Sequence, residues 1–149
     1  MAVATGSIPV APTIAVYRPV PSGGNILSDF FSLYSHEFAR IACCVPRTRV
    51  ADAPYNLAET LRLAREGDKA GIILMIFPEL GLSSYAIDDL LLQDSLLDEV
   101  ERSIAQVVEA SRRLNPVLIV GSPLRFHGRL YHTGVVVDRG KIVVVVPKT

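Results

Sequence analysis

GIILMIFPE, residues 71–79, is the stretch on which the fold turns. Residues 71–77 are apolar or glycine at every position, and Pro78 stops the run. A strand that buries one face alternates apolar with polar residues. An unbroken apolar run predicts a strand covered on both faces, as in the interior of an α/β sheet.

The flanking segments carry the matching pattern. On the amino-terminal side, Leu57, Leu61 and Ala64 recur at helical spacing and Gly67 closes the segment. Asn56 and Glu59 have the spacing of a helix N-terminal capping pair. Residues 39–45, ARIACCV, form a short apolar run stopped by Pro46 and read as a first strand. On the carboxyl-terminal side, residues 95–114 place Leu97, Val100, Ile104, Val107 and Leu114 on one stripe, with charges elsewhere. Asn115-Pro116 ends that helix. Residues 117–120 are another apolar strand, and 130–137 with 141–146 read as an antiparallel hairpin around Asp138-Arg139-Gly140. Strand, helix, strand, helix, strand and hairpin together predict an α/β layer fold.

Residues 1–28 are rich in Pro, Gly, Ala and Val without period, and are expected to be a disordered extension; 29–149 are read as one domain. Order is expected to begin near residues 30–38. Lysine plus arginine number 15, as do aspartate plus glutamate, so the chain has no positive field to attract nucleic acid. No apolar run approaches the ~18 residues that span a bilayer. The opening stretch lacks a basic start and a convincing cleavage site, which leaves the cytoplasm as the expected location. Cys43 and Cys44 are adjacent, so no disulfide framework is expected.

Ligands of α/β sheets collect beyond the carboxyl ends of the strands. Glu79 follows the central run and Lys148 follows the last one. Withdrawal from water at the end of a doubly covered strand is expected to raise the Glu79 pKa and suit it to general-base work. A lysine nearby could donate to a developing oxyanion. His36, His127 and His132 are scattered without metal-ligand spacing, and no metal site is expected. Asp88-Asp89 are expected to open a short helix.

Five blocks carry a resemblance: FSLYSHEFARIACC (31–44), FPELGLSSYAIDDLLLQDSLLDEV (77–100), PVLIVGSPLR (116–125), GRLYHTGVVVDRGKI (128–142) and VVPK (145–148). In this order they resemble the glutaminase domain of glutamine-dependent NAD synthetases, within the nitrilase or carbon–nitrogen hydrolase superfamily. FPEL and VPK point only to the superfamily; LYSHEFAR and the SSYAIDDLLLQD block point to the synthetase branch. The resemblance implies a nitrilase-like α-β-β-α sandwich, of which this chain would hold the N-terminal part. It implies a Glu–Lys–Cys set in which Glu79 is the general base and Lys148 steadies the tetrahedral intermediate. Tyr85 would stand close to the substrate entrance. The substrate would be glutamine, with ammonia passed to a synthetase domain that amidates deamido-NAD using ATP. No cofactor would bind this domain itself, and a homo-oligomer would be possible.

The family's nucleophilic cysteine lies downstream of its lysine. Cys43 and Cys44 do not replace it, because both lie in the first strand with side chains on opposite faces. No GxxxxGK[ST] phosphate loop occurs. The family commonly has glycine at the positions of Ser84 and Glu37, and serine at 84 is strained if the backbone keeps a glycine conformation. The isolated chain is therefore expected to be inactive, and to associate through an open apolar hairpin edge. Two other readings are an amidase acting on a small linear amide, and a non-catalytic fragment or pseudogene product.

Overall fold

The computed structural model describes residues 32–148; the expected extension over 1–28 lies outside them. The chain divides into two units, Met1–Phe38 and Ala39–Thr149. In the first, Leu33–His36 form one turn of 3-10 helix, which Phe38 closes by donating its N–H to the Leu33 carbonyl at 3.1 Å. Glu37, where the resemblance implies a glycine, has φ 63°.

In the second unit the elements run β1 (Ile41–Cys43), α1 (Ala53–Lys69), β2 (Leu74–Ile76), a 3-10 turn (Asp88–Leu92), α2 (Asp94–Ser111), β3 (Val117–Phe126), β4 (Arg129–Asp138) and β5 (Lys141–Pro147). They form one sheet of order β1-β2-β3-β4-β5. The first three strands are parallel and joined through the helices; the last two are antiparallel. Both hairpins turn through two residues with positive φ, His127-Gly128 and Arg139-Gly140. That geometry matches the natural twist of paired strands.

Both helices pack on the same face of the sheet. Leu57 and Ala64 of α1, with Val100, Ile104 and Val107 of α2, join Met75, Leu118, Val120, Val135 and Val137 in a single core. Each of the Val, Leu, Ile and Met side chains, once fully buried, contributes about 1.5–3 kcal/mol. Of the stripe read from the sequence, Leu97, Val100, Ile104 and Val107 form the buried face of α2, whereas Leu114 lies past its end and is half-buried. Gly67 lets α1 settle on Met75, whose sulfur occupies the space a Cβ would need.

The 71–77 run differs from expectation. Only Leu74–Ile76 are strand, because Gly71 (φ 68°) and the Ile72 N–H, bonded to the Gly67 carbonyl, complete the end of α1. Met75 is buried, whereas Ile76 on the opposite face is 38% exposed. The strand is covered on one face, since both helices of the described residues lie on the same side. β3 also runs past 117–120 to Phe126, through Pro123. It pairs with β2 only over Val117–Ile119, so Pro123 lies where β3 has a strand neighbour on one side alone.

The cap of α1 is Asp52, not Asn56: the Asp52 carboxylate accepts the Tyr55 N–H at 3.1 Å, and Pro54 occupies the first turn. Asn56 is fully buried one turn later. Its amide donates to the carbonyls of Arg49 (2.9 Å) and Leu82 (3.1 Å) and accepts the Arg49 N–H (2.7 Å). It thereby ties the loop after β2 to the start of α1.

In that loop Ser84 has φ 72°, the left-handed conformation that suits glycine. Ser84→Gly is expected to raise unfolding stability by about 0.5–1 kcal/mol, read from the urea midpoint, after the entropic cost of glycine is set against the relieved strain. β5 pairs only with β4 among the described residues, and Ile142 to Val146 are each 40–62% exposed. The 149-residue chain is expected to self-associate through this edge. Val145→Lys should shift its sedimentation towards the monomer.

Candidate active site

Beyond β2 the chain stays against β3 for one more bond, from the Phe77 N–H to the Ile119 carbonyl at 2.9 Å. It then turns back sharply. Leu80 takes φ 54°, and the N–H groups of Gly81 and Ser83 donate to Pro78 and Leu80 carbonyls. This loop lies directly on β3 at Gly121. A Cβ there would strike the Pro78 carbonyl oxygen and come within 2.8 Å of the Glu79 Cα. Gly121 thus fixes the height of Glu79 above the sheet. Sequence reasoning did not single it out, although a glycine inside an apolar strand signals a close backbone approach.

Glu79 and Lys148, 69 residues apart, meet. The Lys148 ammonium donates to Glu79 Oε1 at 3.0 Å and to Oε2 at 3.2 Å. His132 Nδ1 stands 2.9 Å from the same Oε1. In the sequence His132 is one of three scattered histidines without metal-ligand spacing. The signal that could have found it is hairpin register, because the Lys148 N–H donates to the His132 carbonyl at 2.8 Å across β4 and β5.

A bulge sets that register. Val137 pairs with Ile142, but Val136 pairs with Val144, so Val143 has no partner in the ladder. Uninterrupted pairing would put Lys148 opposite Tyr131, which shares the helix-facing side with Val135 and Val137. The extra residue instead puts it opposite His132, on the face that carries Glu79.

The electrostatics correct the expectation of a raised Glu79 pKa. The strand end opens on the uncovered sheet face, leaving the Glu79 side chain 37% exposed. Hydrogen bonds from His132 and then Lys148, together with their charges, outweigh desolvation and hold the carboxyl below its ordinary range. The hydrogen bond to Glu79 pushes the Lys148 ammonium above its ordinary value, and Tyr85 adds to the shift electrostatically. Tyr85 is thus within reach of Lys148's field, and it is 66% exposed.

The three side chains edge an open cleft of about 420 Å³ floored by Phe77, Ile119, Gly121, Gly134 and Val146. Neither cysteine lines it. Cys43 is exposed on β1, and burial pushes the Cys44 thiol up, away from the reactive thiolate. Among the described residues no three His, Cys, Asp or Glu side chains converge to hold a metal ion, and no helix is long and apolar enough to cross a membrane. The arrangement offers a proton acceptor beside a cation at the edge of an apolar cleft.

A sequence profile of the carbon–nitrogen hydrolase family matches residues 40–147. The chain is 48% identical over 121 residues to a glutamine-dependent NAD(+) synthetase of Mycobacterium tuberculosis, a match covering 81% of this chain and 18% of the relative. It therefore spans about a fifth of the length of the curated relatives it matches. Among solved structures, a glutamine-dependent NAD+ synthetase from Acinetobacter baumannii superposes with a TM-score of 0.68 at 25% identity, covering 72% of this chain and 20% of that one. A variant Nesterenkonia amidase from the nitrilase superfamily gives 0.66 at 21% identity, covering 74% and 42%. The fold is nitrilase-like α/β, matching part of the full-length architecture.

Carbodiimide, which joins carboxylates to amines in contact, should link Glu79 to Lys148 in the native chain. Deleting Val143 should abolish that linked peptide in the mass spectrum while the folded circular-dichroism signal persists.

Proposed function

The chain belongs to the carbon–nitrogen hydrolase family, and we propose that it forms the base-and-lysine part of a glutamine-hydrolysing site. The ammonia released would serve the ATP-dependent conversion of deamido-NAD to NAD in a synthetase domain. What carries the proposal is the Glu79–Lys148 contact at the mouth of the cleft, made by residues at the two motif positions of the family. The names of the curated relatives support the substrate assignment.

In this reading Glu79 takes the proton of the attacking nucleophile. Its carboxylate is ionised near neutrality, held so by two donors. Lys148 remains cationic for the same reason, and its ammonium has N–H groups to turn towards an oxyanion. When Lys148 shifts onto the substrate oxygen, Glu79 loses a donor and becomes a stronger base at the step that requires one. Tyr85, exposed beside Lys148, would contact the incoming amide. No cofactor takes part in this domain, the location would be cytoplasmic, and a homo-oligomer would fit the exposed β5 edge.

Cys43 and Cys44 are outside the cleft, so the thiol that attacks the amide must come from elsewhere than these two residues. The 149-residue chain alone is expected to release no ammonia from glutamine.

A chimera tests the reading, with this chain replacing the matching segment of the Mycobacterium tuberculosis synthetase. It should make NAD from glutamine, and Glu79→Gln should lower that rate by about 10²–10⁴-fold. No comparable loss is expected when free ammonia is supplied. An unchanged glutamine-driven rate in Glu79→Gln would overturn the assignment. Hydrolysis of short linear amides but not of glutamine would favour the amidase reading.

A further inference from the structure

His132 belongs to none of the motif positions that carry the family's chemistry, yet it makes the shortest of the contacts to Glu79. We propose that His132 is a positioning residue that fixes the Glu79 carboxylate, engaging Oε1 together with Lys148 so that Oε2 is the oxygen left to take a proton. The inference rests on the reading of Glu79 as a base.

The geometry is unequal between the two oxygens. Oε1 receives His132 Nδ1 at 2.9 Å and Lys148 Nζ at 3.0 Å; Oε2 receives only the longer Lys148 contact, at 3.2 Å. A carboxylate accepts and does not donate, so Nδ1 of His132 carries a proton whether the ring is neutral or charged. In the neutral ring Nε2 is then the acceptor. The backbone supports the arrangement: the Lys148 N–H bonds to the His132 carbonyl, so both donors stand side by side on adjacent strands. His132 is also less exposed than Lys148, 34% against 62%, and is the better anchored of the two. If Lys148 moves to the substrate, His132 remains to keep Glu79 from rotating.

The charged and titratable groups facing His132 are Glu79 from the loop after β2 and Lys148 from the end of β5, with Tyr85 acting on Lys148. Because the folded Glu79 pKa is lowered, the pair stabilises the fold above the ordinary carboxylate range. That stability is lost as pH falls through the folded value.

The Glu79 carboxyl carbon can be followed by NMR through an acid titration of the intact chain. His132→Ala should move its midpoint upward, and His132→Asn, which can place an amide N–H where Nδ1 stood, should restore most of the depression. A midpoint unmoved in a folded His132→Ala chain would overturn the proposal. If that variant fails to fold, the native ring decides: long-range ¹⁵N correlation should show Nδ1 protonated, and an unprotonated Nδ1 would overturn it. These readouts address the carboxylate itself. Failure of the chimera to use glutamine would sink the substrate reading and leave the His132–Glu79 result standing.

Discussion

β4 lies between β3 and β5, and its side chains alternate between two environments. Val135 and Val137 enter the core beneath the helices, while His132 and Gly134 face the cleft. A slip of one residue against either neighbour would exchange these sets, burying an imidazole and exposing two valines. The core term therefore holds the register. On the β3 side it does so through nine consecutive pairs, from Leu118–Val137 to Phe126–Arg129. On the β5 side the same constraint admits one irregularity, at Val143, and that irregularity brings Lys148 to Glu79. Packing energy spent on one face of the sheet thus sets the chemistry on the other.

The loop that carries Glu79 is positioned by different means. It is tied to the start of α1 by the Asn56 amide, which donates to the Leu82 carbonyl while it also holds Arg49 through two further bonds. The Ala51 N–H adds a bond to the Ser83 carbonyl. Each is worth about 1 kcal/mol net, and more if a buried partner is stranded. Gly121 admits the loop to its seat on β3. Against these gains stand the left-handed conformations of Leu80 and Ser84 on either side of the buried Leu82. Backbone strain of this kind persists only where surrounding contacts hold it, and here Asn56 and Gly121 supply them.

In the role proposed for it, Glu79 is a base whose proton affinity is lowered by its neighbours, which looks at first like a poor base. In that proposal Lys148 leaves the Glu79 carboxylate for the substrate oxygen, and the carboxylate regains proton affinity as it goes. Two donors hold the carboxylate ionised, His132 first and then Lys148, and only the second is one an oxyanion would attract. The expected mechanism, desolvation at the end of a doubly covered strand, does not apply here because that strand end opens onto an uncovered face of the sheet.

By itself the sequence determined the α/β alternation, the buried stripe of α2, the final hairpin and the family motifs at Glu79 and Lys148, because each is a local signal of periodicity or residue type. The resemblance also marked Ser84 and Glu37 as standing where the family commonly has glycine, and both have positive φ. Tertiary structure alone decided which apolar strand face is covered, that Asn56 clamps two loops instead of capping a helix, and that β3 continues through Pro123. It also decided that His132 joins the site. The reason is common to all of these. Each depends on what another segment places opposite the residue, and the pairing of His132, Lys148 and Glu79 hangs on a single unpaired valine that no local pattern reveals.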